Sequence, residues 1–236
     1  MKAFLLIGQS NMAGRGDFGE VEEINNPRCK MLRNARWQPM SEPICPDRSP
    51  FVYYHSGVGL SASFADEFAK HFGEDVGLIP CADGGTRLEE WQPGTALFAN
   101  TVAQCKLAQE YADAEICGIL WHQGESDSTD ERDVALYHDR FMTMLRAMKA
   151  EIGISDDVPV LIGELGEFVG SYENGRCAFF WDVNEILRAL ASELPCGAFV
   201  SAKGLTSKED NIHFNSASYR EFGKRYFAAY RTLIER

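Results

Sequence analysis

Along this chain of 236 residues, short apolar runs alternate with longer stretches whose apolar positions recur every three to four residues. Five runs read as strands: Ala3–Gly8, Val76–Ala82, Ile116–His122, Val158–Glu164 and Gly197–Ser201. Each is nearly continuous in apolar residues, the pattern of a strand covered on both faces. Helical spacing appears at Leu60, Phe64, Phe68 and Phe72, and again at Val134, Tyr137, Phe141, Met144, Leu145 and Met148. It returns at Val183, Ile186, Leu187, Leu190 and Leu194, and at Tyr219, Phe222, Tyr226, Tyr230 and Leu233. Ala96–Tyr111 reads as a further helix, and Ser128 followed by Glu131 predicts a capping-box start for the Val134 helix. Such alternation predicts an α/β fold with a mostly parallel five-stranded sheet, helices on both faces and right-handed crossovers.

The segment Asp17–Gly59 breaks the rhythm. It carries five prolines (Pro27, Pro39, Pro43, Pro46, Pro50) and no clean period. It is too long for a plain connection, so it reads as an excursion that shapes a pocket or as a poorly ordered insertion. Trp37 and Tyr53-Tyr54 are its candidates for a lid. With no repeat and no linker, residues 1–236 are expected to form one domain.

Composition then removes whole classes of function. Lys and Arg total 23 against 35 Asp and Glu, a formal charge of −12, which disfavours nonspecific attraction to nucleic acid or anionic membrane. No apolar run approaches the ~20 residues of a membrane span, and the N-terminal run is too short for a signal peptide's apolar core. Seven scattered cysteines without a CxxC pair argue against a zinc knuckle or a redox motif and fit free thiols in a reducing compartment. The expected location is cytoplasmic.

Ligands of an open parallel sheet bind outside the carboxyl ends of its strands. Polar and ionisable residues gather there: Gly8-Gln9-Ser10-Asn11-Met12-Ala13-Gly14, then Asp83-Gly84-Gly85-Thr86-Arg87 with Trp91, then His122-Gln123-Gly124-Glu125-Ser126-Asp127, and Asp210-Asn211-Ile212-His213-Phe214 before the last helix. Ser10, at a strand-to-helix junction, is the candidate nucleophile. A hydroxyl is a weak nucleophile until a base takes its proton, and His213 is the histidine with an acid, Asp210, three residues away. The bland alternative is that Asp210 and His213 only cap the final helix. Ser10 N–H, one glycine N–H and the Gln123 amide are candidate donors to an oxyanion, although paired glycines also make ordinary tight turns. His122, Glu125 and Asp127 have the side chains of a metal site, but their spacing falls on a strand end and turn rather than a helix face. Glu125 reads either as a second acid beside His213 or, more simply, as an acid that braces the loops by hydrogen bonds, and it is also a candidate for substrate contact. Arg15, Arg87 and Trp91 are the candidates for substrate contact, an aromatic plane suiting the C–H face of a sugar.

Together, the GQSNMAG, Gly84-Gly85-Thr86 with Trp91, WHQGESD and Asp210-Asn211-Ile212-His213 blocks resemble the SGNH-type carbohydrate acetylesterases, and within them the sialate O-acetylesterase and acetylxylan esterase branch, carbohydrate esterase family six. The resemblance spans residues 8 to 214. It implies a three-layer, flavodoxin-like α/β/α sandwich and serine catalysis without metal or cofactor. It also implies an acetylated sugar or oligosaccharide as the partner; that no nucleic acid and no membrane is expected rests on the charge balance and the apolar runs. On it, Ser10 is the nucleophile, His213 the base, Asp210 its orienting acid, and Ser10, Gly85 and Gln123 the oxyanion hole, with Gly84 an alternative to Gly85. Two other readings are a binding protein of the same fold without catalysis and a metal-dependent hydrolase built on His122, Glu125 and Asp127.

Overall fold

In the computed structural model, which describes residues 1–45 and 55–235, the five apolar runs form adjacent strands of a seven-stranded sheet. Its strands are β1 (Lys2–Gly8), β2 (Cys29–Arg33), β3 (Arg36–Pro39), β4 (Val76–Pro80), β5 (Glu115–His122), β6 (Val160–Gly163) and β7 (Gly197–Val200), in the order β3-β2-β4-β1-β5-β6-β7. Neighbours pair in parallel except β2 with β3. The helices are α1 (Ser10–Ala13), α2 (Leu60–Phe72), α3 (Ala96–Ala112), α4 (Glu131–Ile152), α5 (Phe180–Glu193) and α6 (Ser216–Ile234).

Strand β1 explains why its sequence lacks polar alternation. Ala3, Leu5 and Ile7 enter a core shared with α3, α4 and α5, while Phe4 and Leu6 enter a second core shared with α2 and α6. Successive side chains leave opposite faces, so a strand between two helical layers must be apolar at every position. Phe4 meets Phe64, Phe68 and Tyr230 edge-to-face at centroid distances of 4.7, 5.2 and 4.9 Å. Pairs of this kind add about 0.5–1.5 kcal/mol each beyond burial. The result is a three-layer α/β/α sandwich. Cys29 and Cys105 are buried within it, and burial pushes both thiols up to about 12, as befits small apolar fillers.

Among the described residues the sheet has seven strands, not five, because residues 29–39 of the Pro-rich excursion add a hairpin at one side of it. Strands β2 and β3 are joined by Asn34-Ala35, with φ of 53° and 57°. That is the two-residue hairpin turn with both central residues left-handed, and Asn-Ala is a weaker signal for it than Asn-Gly. Trp37 is therefore not a lid: its ring packs over Gly77 of β4, where an added Cβ would come within 2.6 Å of it. Tyr53 and Tyr54 lie outside the described residues. Helix α4 also starts differently from the capping-box expectation. Asp130 is its N-cap, accepting from Arg132 N at 2.9 Å, while Ser128 Oγ donates to Glu125 O.

From β4 the chain crosses β1 to reach β5, so the carboxyl ends of β1 and β5 flank the reversal of strand order where open sheets bind ligands. Backbone bonds draw three loops together there: Cys81 N to Leu6 O, Asp83 N to Gly8 O and Gln9 N to His122 O, each 2.9 Å. Gly8, at φ 132°, makes this approach possible, since a Cβ would sit 2.1 Å from His122 O. Gly8→Ala is expected to destabilise the fold by about 3 kcal/mol through combined strain and overpacking, read as a shift in the denaturant midpoint. Among the described residues no helix is long and apolar enough to cross a membrane.

Candidate active site

The loops after β1, β4, β5 and β7 border a cleft of about 510 Å³, with Ser10, Arg15, Gly84, Gly85, Glu125 and His213 among its lining residues. Ser10 opens α1 directly beyond β1 and is 6% exposed. Its Oγ lies 2.9 Å from His213 Nε2, and His213 Nδ1 lies 2.7 Å from Asp210 Oδ2. The structure thus brings three residues, up to 203 positions apart, into one hydrogen-bonded row.

Asp210 is prepared for its place by its own loop. Its Oδ1 accepts the N–H groups of Ile212 (3.1 Å) and His213 (3.0 Å), leaving Oδ2 for the imidazole. Burial works to raise this carboxyl, but the bonds from the His213 ring and the two backbone donors outweigh it and hold it at about 2. Opposite Ser10, Gly84 and Gly85 border the cleft. An ideal Cβ on Gly84 would stand 3.7 Å from Ser10 Cβ and 2.6 Å from Arg15 Nη2, so a side chain there would press on the Arg15 guanidinium. Gly85 adopts φ 73°. Among the described residues no backbone carbonyl accepts the N–H of Ser10, Gly84 or Gly85.

Gln123 departs from expectation. It is fully buried and does not border the cleft. Its Nε2 donates to Thr86 O (3.0 Å) and Asp127 Oδ2 (2.5 Å), and its Oε1 accepts from Tyr137 Oη (2.8 Å). Both amide hydrogens are spent on the scaffold, one on Thr86 of the glycine loop and the other on a carboxylate four residues on in its own loop. Trp91 is likewise corrected as a substrate contact. It is 0% exposed, stacked edge-on against Trp121, with Nε1 donating to Thr86 Oγ1 at 3.0 Å. Both residues support Gly84-Gly85-Thr86 from behind.

Glu125 borders the cleft floor, yet its carboxylate is buried. Oε1 accepts from Asn11 Nδ2 at 2.5 Å and lies 3.5 Å from His122 Nε2. Burial favours the neutral acid, but His122 and Asn11 prevail and lower the carboxyl below the ordinary glutamate value. Asp127 instead accepts from Leu88 N, and burial pushes it up to about 6. His122, Glu125 and Asp127 do not converge on a point: among the described residues no group of three His, Cys, Asp or Glu side chains is placed to hold a metal ion.

Arg15 and Arg87 do border the cleft. Arg15 Nη1 donates to Gly14 O (2.8 Å) and Ser56 Oγ (3.0 Å). Arg87 pairs with Asp133 and donates to Thr129 Oγ1, which fastens it to the start of α4. Sequence reasoning missed Tyr172, Arg176 and Cys177, which form another wall. They come from the turn of 3-10 helix after β6 and the residues beyond it, where no period marks them. It also left Asn11 without a task, although that residue stands inside the GQSNMAG block.

Comparisons with known proteins bear on the family and the fold. The family model described as carbohydrate esterase, sialic acid-specific acetylesterase, matches residues 1–232. An Arabidopsis thaliana protein described as probable carbohydrate esterase At4g34215 is 28% identical over 247 residues, spanning 96% of this chain and 89% of its own. The 1.6 Å X-ray structure of that protein superposes with a TM-score of 0.80 at 25% identity, covering 98% of each chain. NanS gives 0.80 at 18% identity over 99% of this chain and 98% of its own. XAC1771, a carbohydrate acetylesterase from Xanthomonas citri, gives 0.68 at 19% identity, covering 98% of this chain and 56% of the other. These last two likenesses speak to the fold. With a family model spanning almost its full length, the chain belongs to the carbohydrate esterases of the sialic acid-specific acetylesterase family and is a carboxylic ester hydrolase.

Proposed function

We propose that the protein, acting as one unit over residues 1–236, removes O-acetyl groups from a sugar or short oligosaccharide through an acetyl-enzyme on Ser10. The observation that carries this reading is the Asp210–His213–Ser10 row, at 2.7 and 2.9 Å, opening onto the cleft. Ser10 Oγ attacks the acetyl carbonyl carbon while His213 Nε2 takes its proton. As the bond to the sugar oxygen breaks, the imidazolium returns that proton to the leaving hydroxyl. Water, deprotonated by the same imidazole, then adds to the acetyl group, and acetate leaves with Ser10 restored.

The N–H groups of Ser10 and of the Gly84-Gly85 pair are the donors offered to the oxyanion, and each such donor is worth about 3–4 kcal/mol of barrier. Gln123 acts behind them, holding Thr86 and hence the glycine loop in register. Arg15 and Arg87 contact the sugar, and Tyr172 supplies the aromatic wall expected of Trp91. Sialate and xylan fragments both have hydroxyls to carry the acetyl group. Acetate release measured across a panel of O-acetylated sialic acids and xylo-oligosaccharides ranks them. In parallel, a fluorophosphonate probe should label one serine per chain, and peptide mapping should find it at position 10. Full labelling at another residue with loss of activity would overturn the assignment.

A further inference from the structure

Asn11 is buried and has all of its hydrogen-bonding capacity in use. Nδ2 donates to Glu125 Oε1 (2.5 Å) and Ile212 O (2.9 Å), while Oδ1 accepts from Phe214 N (3.2 Å) and Tyr219 Oη (2.6 Å). Two of these partners flank His213: the carbonyl before it and the N–H after it. One amide giving to residue 212 and receiving from residue 214 reproduces a single rung of a parallel β-ladder. Here the side chain of the residue next to Ser10 stands in for the second strand.

We infer that Asn11 is the positioning residue that sets the Ser10–His213 register, its side-chain amide holding the backbone on both sides of His213 while its own backbone carries Ser10. The inference rests on the proposed triad. The rung leaves the loop at His213 little freedom to slide along or turn about its own axis, so the imidazole meets the hydroxyl without a search. Glu125 keeps the amide's orientation: a carboxylate accepts only from the nitrogen, so Asn11 cannot turn over and present its oxygen to Ile212 O. Misplacement of a base by about 1 Å costs on the order of 100-fold in rate.

Three variants test this against a merely structural role, with Ser10→Ala in the same p-nitrophenyl acetate assay as a separate test of the triad. Asn11→Ala is expected to stay folded by circular dichroism and to lose at least about 100-fold in kcat with KM within a fewfold, because substrate contacts are untouched. Tyr219→Phe removes a bond from the same amide but neither rung bond, so it should lower the denaturant midpoint while kcat stays within about threefold. Asn11→Asp places two carboxyls in contact, with His122 beyond Glu125 and with Tyr219 on α6, which itself feels Arg15 and Asp210. Such a pair shares a proton at lower pH and repels when the proton is lost, so this variant should gain an alkaline fall in kcat that the parent lacks. Folded Asn11→Ala with parental kcat, or equal kcat losses in Asn11→Ala and Tyr219→Phe, overturns the inference. Should Asn11→Ala not fold, an Asn11→Asp profile of parental shape overturns it. Parental activity in Ser10→Ala would overturn the triad instead.

Discussion

Ser10→Ala is expected to lower kcat for acetate release by roughly 10⁴–10⁶-fold while leaving the fold intact. The hydroxyl is the group that His213 Nε2 meets at 2.9 Å, and deleting it removes the atom that would form the acyl bond. Alanine fits the short helix α1 at least as well as serine, since it has the higher helix propensity. The denaturant midpoint should therefore stay near the parent's, which separates loss of chemistry from loss of structure. What rate remains comes from donors that still polarise the carbonyl for attack by water. Parental turnover in the variant would remove the acetyl-enzyme from the account.

Asp210→Asn should cost about 10⁴-fold in kcat, by a different route. The Asn Oδ1 can still accept from Ile212 and His213, so the loop keeps its shape. At the other position an NH2 replaces the oxygen facing His213 Nδ1. The ring must then accept there and carry its proton on Nε2, which faces Ser10 and can no longer take the hydroxyl's proton. The native carboxyl is held at about 2, so it is charged throughout the range in which esters are assayed. The sign for stability follows from the same depression. The stabilising contribution of Asp210 is complete above the ordinary aspartate value near 4 and is lost as pH falls toward 2, an effect solvent screening keeps modest. The competing acid is Glu125, whose carboxylate faces Asn11 and His122 rather than His213. A larger kcat loss in Glu125→Gln than in Asp210→Asn would reverse the assignment of the orienting acid.

Much of this site was legible before the structure because each of its blocks follows a strand whose apolar run is easily seen. Ser10 after β1, Gly84-Gly85 after β4 and Gln123 after β5 could be placed on one rim from connectivity alone. Asp210 and His213, three residues apart in a loop, carried their own suggestion of a pair. Less legible was the difference between a residue at the rim and one behind it. Trp91 and Gln123 were read as facing substrate because polar and aromatic residues near a cleft usually can. Their hydrogen bonds to Thr86 show them turned inward, and no spacing rule reports which way a loop side chain turns. The hairpin β2–β3 escaped for a related reason: its strands are short, its turn lacks glycine, and β3, as the sheet edge, tolerates the mixed polarity of Arg36–Pro39.

By itself, the sequence determined the layers, because a strand covered on both faces and a helix covered on one bury different periodic patterns, and those patterns are local. It also determined the inventory of reactive groups and their order along the chain. Only the tertiary structure decided which carboxylate the imidazole meets, which amide is spent on the scaffold and which residue holds the base in register. Those outcomes depend on distances between segments up to 208 residues apart, as between Asn11 and Tyr219. A donor buried among several acceptors bonds to the one the fold brings nearest, and nearness across the chain is a property of packing rather than of spacing.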